Sequence, residues 1–131
     1  MDILTLDSLI HDISLIALMK EVTCVAREQL QTLTEPMYYI LLAVAKQPTH
    51  GYEIMKSVAE ITKERVKVGA GTLYALLTRF EKEGIMLCIS NDGRRKTYTL
   101  TNKGQEILKN EYQRLAESAA AYERFFEKEE R

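Results

Sequence analysis

Hydrophobic positions recur every three or four residues along most of this chain, and the period changes to two only between residues 85 and 100. The helical period predicts one helix that begins near Thr34 and a second that begins around residues 49–50. A third helix follows a connector at 63–70 and ends at Gly84, a residue type favoured just after a helix. The apolar positions that face the core in these helices are Ile40, Leu41, Val44, Ile54, Val58, Ile61, Leu73, Leu76, Leu77 and Phe80.

Residues 85–100 predict a β-hairpin. In the first strand Ile85, Leu87 and Ile89 alternate with Met86, Cys88 and Ser90. The turn at 91–93 reads Asn-Asp-Gly, which is typical turn chemistry, and Tyr98 and Leu100 alternate with threonines in the return strand. The predicted fold class is therefore mainly α with a small β-hairpin, an α+β arrangement.

The end of the chain predicts one long helix, capped by Thr101 and running to about Glu129, which is roughly 40 Å at 1.5 Å per residue. Its apolar positions are Leu108, Tyr112, Leu115, Ala119, Tyr122 and Phe126. Their spacing alternates between four and three, which is a heptad seam. A helix this long cannot bury the whole seam on a small domain, so we expect it to pack on another chain. The aromatic residues that form either dimer core or an effector pocket are Tyr112, Tyr122, Phe125 and Phe126.

Charge is distributed unevenly behind a formal net charge of −1. Residues 1–31 carry −3, residues 32–101 carry +3 and residues 102–131 carry −1. The positive surplus lies on the segment that contains the third helix and the hairpin, which favours an anionic partner.

Other classes of protein find little support in the sequence. No apolar run reaches the ~18 residues of a transmembrane helix. Cys24 and Cys88 lie far apart, and neither His11 nor His50 has a second metal ligand nearby, so we expect free thiols in the cytoplasm and no metal or other cofactor. The spacings of a nucleophile–base pair, a carboxylate pair or a phosphate loop are missing from the sequence, which argues against an enzyme.

A short helix beside a hairpin with a cationic tip is the layout of a winged helix-turn-helix. In that layout the helix enters a major groove of DNA and the hairpin holds phosphate. The candidate DNA-binding residues are His50, Lys67, Gly71, Thr72, Tyr74, Thr78, Arg94, Arg95 and Lys96. A tyrosine hydroxyl reaches a phosphate or a base edge, threonine contacts a thymine methyl, and cations and first-turn amides suit phosphate.

Each of these assignments has a plainer alternative. Tyr74 could instead pack on its own domain, and the cations at 94–96 could form a solvated surface. His50 could serve as a helix cap, and Lys67 could be merely solvated.

Four strings of residues resemble the PadR family of bacterial transcriptional regulators. They are L-T-E-P-M-Y-Y-I-L-L-A-V (33–44), H-G-Y-E-I-M (50–55), V-G-A-G-T-L-Y-A-L-L-T-R-F-E-K-E-G (68–84) and G-R-R-K-T-Y-T-L-T-N-K-G (93–104). They lie in order at family-like spacings between residues 26 and 126, and the single terminal helix looks like that of the small PadR subfamily.

The resemblance implies a homodimeric winged-helix repressor that binds a pseudo-palindromic operator. The family's recognition helix matches Gly71–Glu83, and its wing matches Asn91–Lys96. Several members bind flat, aromatic or cationic molecules at the dimer interface and then leave DNA, which implies a small aromatic effector. A tryptophan that stacks drugs in one branch aligns with Leu115 in this Trp-free chain, which argues against that mode of binding. The alternative is a protein-interaction module that has lost DNA binding, and the intact Gly-Arg-Arg-Lys wing argues against it.

Residues 1–24 have no counterpart in the family pattern. Their apolar residues are spaced as in a helix, whereas the string at 25–29 resembles the start of family members. The codons for Lys-Glu-Val at 20–22 can read as a ribosome-binding sequence, so residues 1–24 are either an extra helix or translated upstream sequence. The predicted division is this N-terminal extension, a winged helix DNA-binding domain at 25–101 and a dimerisation helix at 102–131.

Overall fold

The computed structural model describes residues 33–129, with side chains to residue 127. Our interpretation of residues 1–24 therefore lies outside the described residues. Within this range the helices are α1 (Glu35–Lys46), α2 (Gly51–Ile61), α3 (Ala70–Lys82) and α4 (Asn102–Glu129). The strands are β1 (Thr49–His50), β2 (Met86–Asn91) and β3 (Lys96–Leu100). The α+β class is confirmed, and no helix in the described range is long and apolar enough to cross a membrane.

The helix ends follow the local chemistry that the sequence predicts. Thr34 Oγ1 accepts a hydrogen bond from Met37 N (3.4 Å) at the start of α1. Gly84 adopts a left-handed φ of 74° just after α3. Thr101 Oγ1 accepts from Gly104 N (3.1 Å) and donates to the Gly84 carbonyl (2.6 Å). Thr101 therefore both caps α4 and ties it to the end of α3.

Buried apolar side chains of the helices and the sheet form one core. They are Ile40, Leu41, Ala43, Val44, Ile54, Val58, Val68, Leu73, Leu77, Phe80, Ile85, Met86, Tyr98 and Leu100. Leu76, predicted to face the core, lies half-buried against it. The prediction was wrong for Ile61, which is 47% exposed. Ile61 is the last residue of α2, and the chain then turns through left-handed Lys63 and Glu64 (φ 52° and 64°), which carries it away from the core.

The two-residue strand β1 was not predicted from the sequence. Thr49 pairs with Tyr98 and His50 pairs with Thr97, so β1 lies beside β3 in an antiparallel sheet of order β1–β3–β2. Two residues are too few to show a period, which is why the pattern missed them. The pairing matters because it fixes the start of α2 next to the hairpin.

Strand β2 turns its most apolar side chains outward. Met86 is buried and Cys88 packs half-buried on the core, whereas Leu87 and Ile89 are 55% and 51% exposed. The register between β2 and β3 shifts between Cys88 and Ser90, which places Ile89 in a β-bulge. Alternation predicted the strand without showing which set of side chains faces inward.

Candidate nucleic-acid interface

A cleft of about 460 Å³ opens between the start of α2, the outer face of α3 and the hairpin tip. We call the hairpin tip, residues 91–96, the wing. The residues that line the cleft are His50, Gly51, Tyr52, Tyr74, Thr78, Asn91, Gly93, Arg94, Arg95, Lys96 and Tyr98. The candidate DNA-binding residues among them are His50, Tyr74, Thr78, Arg94, Arg95 and Lys96. The other candidates, Lys67, Gly71 and Thr72, are exposed but lie outside the cleft lining.

Helix α3 has one buried and one exposed face, as the sequence predicts. Leu73, Leu77 and Phe80 point into the core, while the opposite face carries small and polar side chains. The exposed residues on that face are Thr72, Tyr74, Ala75, Thr78 and Arg79. A helix face that carries small and polar side chains can lie in a major groove and contact base edges.

The start of α3 presents free backbone amides. Its N-cap is Gly69, and no side chain in the described part of the chain caps the helix there. The first backbone bond of the helix runs from Leu73 N to the Gly69 carbonyl (2.9 Å), which leaves the amides of residues 70–72 without a partner inside the helix. Unpaired first-turn amides and the positive end of the helix dipole together suit a phosphate group.

Backbone hydrogen bonds to two side chains shape the wing. Asp92 Oδ1 accepts from Arg94 N (3.0 Å) and Arg95 N (2.7 Å), and Asn91 Oδ1 accepts from Gly93 N (3.0 Å). Hydrogen bonds from the backbone of Arg95 and Arg94 lower the pKa of the Asp92 carboxyl, so the carboxylate form is favoured. Gly93 has a φ of 89°, a backbone conformation that residues other than glycine rarely adopt.

The cations of the wing are available to a ligand. Arg94, Arg95 and Lys96 are exposed, and none of them forms a salt bridge with a carboxylate in the described part of the chain. Arg79 on α3, by contrast, is paired with Glu83 (3.3 Å). Unpaired cations at the rim of a cleft can bind phosphate without first breaking an ion pair.

Tyr74 combines both roles that the sequence analysis considered. Its ring packs against Gly51 at the start of α2, yet the residue remains 54% exposed. The Thr78 hydroxyl on the next turn donates to the Tyr74 carbonyl (2.8 Å). One side of the Tyr74 ring therefore packs on its own domain, and the other side faces the cleft.

The backbone of His50 occupies the helix-cap position that the sequence analysis gave as an alternative, but its side chain does not cap the helix. It is the N-cap of α2, and its side chain makes no capping hydrogen bond within the described residues. Its backbone pairs with Thr97 in β3, while its side chain lines the cleft. This arrangement leaves the first turn of α2 uncapped next to the wing cations.

Sequence reasoning missed Tyr98 as part of the cleft. The alternation of β3 indicated that Tyr98 faces inward, and it is 3% exposed. Burial raises the pKa of its hydroxyl, and the charges of Glu81, Cys88 and Tyr74 add to the effect. Only the pairing with β1 reveals that this inward side borders the cleft.

A second missed feature ties the connector before α3 to α1. Arg65 donates to both carboxylate oxygens of Glu35 (3.2 and 2.8 Å) and to the Tyr39 hydroxyl (3.0 Å). The hydrogen bond from Arg65 lowers the pKa of the Glu35 carboxyl. Glu35 and Arg65 are thirty positions apart in sequence, so no local pattern could have indicated the contact.

The predicted seam of α4 leaves the core within a few residues. Leu108 packs half-buried on the core, while Tyr112, Leu115, Tyr122 and Phe126 are 60%, 39%, 66% and 44% exposed. Ala119 is exposed as well. The Tyr122 and Phe126 rings lie 4.6 Å apart and the Phe125 and Phe126 rings 5.3 Å apart, centre to centre. Dimer core and effector pocket both stay predictions for these aromatic residues.

Comparison with known proteins identifies relatives of the same architecture. A transcriptional regulator from Clostridium thermocellum is 26% identical, with a TM-score of 0.58 over 67% of this chain and 89% of that one. The PadR-like transcriptional regulator from Bacillus cereus, at 24% identity, shares the fold with a TM-score of 0.55 over 68% of this chain and 88% of its own.

A protein family and a curated relative match at the level of sequence. An uncharacterized 37.1 kDa protein in transposon TN4556 of Streptomyces fradiae is 32% identical over 77 residues, which are 59% of this chain and 22% of that protein. The chain thus spans about a fifth of the length of that relative. Residues 40–110, more than half of the chain, match the Transcriptional regulator PadR-like family. The chain therefore belongs to the PadR-like family of transcriptional regulators.

Proposed function

We propose that this regulator is a sequence-specific DNA-binding repressor that acts as a homodimer on a pseudo-palindromic operator. The observation that carries the proposal is the cleft, where the exposed face of α3, the uncapped start of α2 and the unpaired cations of the wing meet. Each of these groups suits one part of duplex DNA, and all of them lie on one side of the domain.

In this proposal α3 lies in a major groove. Thr72 and Thr78 contact base edges or thymine methyl groups, while the Tyr74 hydroxyl and the free amides at the start of α3 bind phosphate. The wing lies over the sugar-phosphate backbone, where Arg94 and Arg95 bind phosphate oxygens. The cleft between them accommodates the backbone strand that borders the groove.

The proposal of a homodimer is supported by the exposed apolar seam of α4. Tyr112, Leu115, Tyr122 and Phe126 are spaced as in a heptad and none of them is covered within the described part of one chain. A second copy would bury them, and its two-fold axis would set two α3 helices against two half-sites, about one helical turn or a multiple of it apart.

The direction of control and the effector are inferred in the same way. In its described part the protomer consists of a DNA-binding fold and one helix, and such a protein acts most simply by occupying a promoter. The exposed rings of Tyr122, Phe125 and Phe126 would border the dimer interface, where a small flat aromatic molecule could bind and change the spacing of the two α3 helices.

The proposal is tested by titrating the purified protein against the promoter of its own gene. We expect tight binding that resists non-specific competitor DNA and weakens steeply between low and high salt. Binding that competitor abolishes on this promoter, and on every site recovered by genome-wide binding, would contradict sequence-specific recognition. That result would favour the interaction module instead.

A further inference from the structure

Gly51 is the first residue of α2, a position where glycine is not required by the backbone. Its φ is not in the left-handed region, unlike that of Gly84 and Gly93. Glycine within a helix costs about 0.5–1 kcal/mol relative to alanine because it loses more conformational freedom on folding. The space around position 51 supplies another constraint on the residue there.

That constraint is the ring of Tyr74 from α3. A Cβ built on Gly51 would lie 3.0 Å from the Tyr74 hydroxyl oxygen and 3.2 Å from both Cε1 and Cζ of the ring. These distances are tighter than ordinary van der Waals contact, so a side chain at position 51 would displace the end of the ring by a few tenths of an ångström. The contact involves only the end of a half-exposed side chain, which can move without disturbing the core.

The position of this ring matters because both residues line the cleft. Tyr74 lies between the uncapped start of α2 and the wing that carries Arg94 and Arg95. We propose that Gly51 is a positioning residue for DNA binding, whose missing side chain lets the Tyr74 ring lie across the start of α2 and holds its hydroxyl where a backbone phosphate enters the cleft. The inference rests on the proposed DNA-binding function and adds to it a residue that makes no contact with DNA through a side chain of its own.

The test is a double-mutant cycle of Gly51→Ala and Tyr74→Ala, with affinity measured on the promoter duplex and on an unrelated duplex at low salt. We expect Gly51→Ala to weaken binding to both duplexes by about threefold, since a shift of a few tenths of an ångström weakens a hydrogen bond to a charged phosphate without removing it. In the Tyr74→Ala background the same change should have no further effect, because there is no ring to displace. Independent losses that multiply in the double variant would overturn the proposal, as would a Gly51→Ala protein that binds like wild type.

A stability measurement separates positioning from damage to the fold. The melting temperature of Gly51→Ala should equal or exceed that of wild type, because alanine is the better helix former. A lower melting temperature together with weaker binding would mean that Gly51 is structural and would overturn the proposal. Tyr74→Phe, which keeps the ring but lacks the hydroxyl, should bind at least as weakly as Gly51→Ala, because it removes the hydrogen bond altogether.

A measurement without DNA tests the contact between Gly51 and Tyr74 independently of the proposed DNA binding. With tyrosine rings labelled for NMR, Gly51→Ala should shift the Tyr74 resonance more than that of any other described tyrosine. An unchanged Tyr74 resonance would overturn the positioning role even if wild type binds DNA well. If the resonance shifts but wild type binds neither duplex, the packing holds, the proposed function fails, and the role of Gly51 in DNA binding fails with it.

Discussion

The two ends of α4 are built from one continuous helix and yet have opposite surroundings. At its start, Gly104 and Glu111 are buried and Ile107 and Leu108 pack on the core. From Tyr112 to residue 127, the described side chains are exposed except for a half-buried Ala120. The start of the helix completes the winged-helix fold, whereas the rest offers an apolar seam that residues 33–127 of the same chain leave exposed.

The boundary between the two halves is marked by an ion pair between a buried carboxylate and a half-exposed arginine. Glu111 is 7% exposed and is paired with Arg114 one turn later, which is half-exposed. The hydrogen bond to the Glu111 carboxylate raises the pKa of the Arg114 guanidinium. A buried carboxylate needs such a partner, and Glu111 is the last buried residue that the structure describes in α4. The following substitutions should therefore act on one half of the molecule and spare the other.

Leu115→Glu should have the largest effect, because it places a charge in the middle of the proposed dimer seam. An unpaired buried charge costs about 3 kcal/mol or more, which is over 100-fold in the dimer dissociation constant. Sedimentation or gel filtration should show a monomer, and binding to operator DNA should fall with it. The winged helix should stay folded, because Leu115 lies outside the core that the described residues form.

The control for Leu115→Glu is Gln113→Glu, which adds the same charge to the same helix two residues away. Gln113 is exposed and lies outside the seam, so this protein should remain a dimer. A Leu115→Glu protein that elutes like wild type would show that the seam of α4 is not the dimer interface.

Gly104→Ala should destabilise the packing of the start of α4 on the core. The new Cβ would lie 2.2 Å from the Ile85 carbonyl oxygen, which already accepts hydrogen bonds from the backbone and side chain of Thr101. We expect a loss of about 1–3 kcal/mol in the free energy of unfolding, the usual cost of overpacking. Thermal or denaturant unfolding measures it.

The matched control for Gly104→Ala is Gly71→Ala. Among the residues that the structure describes, nothing lies within 4 Å of a Cβ at Gly71, so alanine should raise stability there through its helix propensity. If both substitutions stabilise the protein, the close packing of α4 on Ile85 is wrong.

The sequence predicted the parts of this molecule that depend on local chemistry. The cap at Thr34, the left-handed Gly84 and the full extent of α4 each follow from one or two residue types and a period. The wing turn could also be predicted, because the side chains of Asn91 and Asp92 accept hydrogen bonds from backbone amides within the same turn.

What the sequence could not show depends on contacts between distant elements. The strand β1 exists only because Thr49 meets Tyr98, and the cleft exists only because that pairing holds α2 beside the wing. The Gly51–Tyr74 contact likewise joins residues on different helices. The inward face of β2 was undetermined for the same reason, since both of its faces carry apolar side chains and the bulge at Ile89 changes the alternation.

Replacing Arg94 and Arg95 together by alanine should weaken DNA binding without altering the dimer. Two unpaired cations are lost from each wing, and we expect affinity to fall by about tenfold or more on operator and unrelated DNA alike. The slope of log affinity against log salt should flatten by about 0.9 for each phosphate contact removed. Lys109→Ala, an exposed cation on α4 outside the cleft, should change the slope far less. An unchanged slope in the double arginine variant would exclude the wing from phosphate binding.

The smallest effect should come from the comparison of Asp92→Ala with Asp92→Asn. Both substitutions remove a negative charge close to the proposed phosphate path, which by itself should strengthen DNA binding. Only alanine also removes the oxygen that accepts hydrogen bonds from the amides of Arg94 and Arg95. We therefore expect Asp92→Asn to bind at least as tightly as wild type.

Asp92→Ala should bind about threefold more weakly than Asp92→Asn, because the wing must then be ordered at the moment of binding. The difference should be the same at every salt concentration, since the two variants carry equal charge. A difference that vanishes at high salt would mean that the alanine variant makes fewer phosphate contacts, rather than the same contacts at a higher cost of ordering. Equal affinities at all salt concentrations would mean that Gly93 and the strand pairing suffice to hold Arg94 and Arg95 in place.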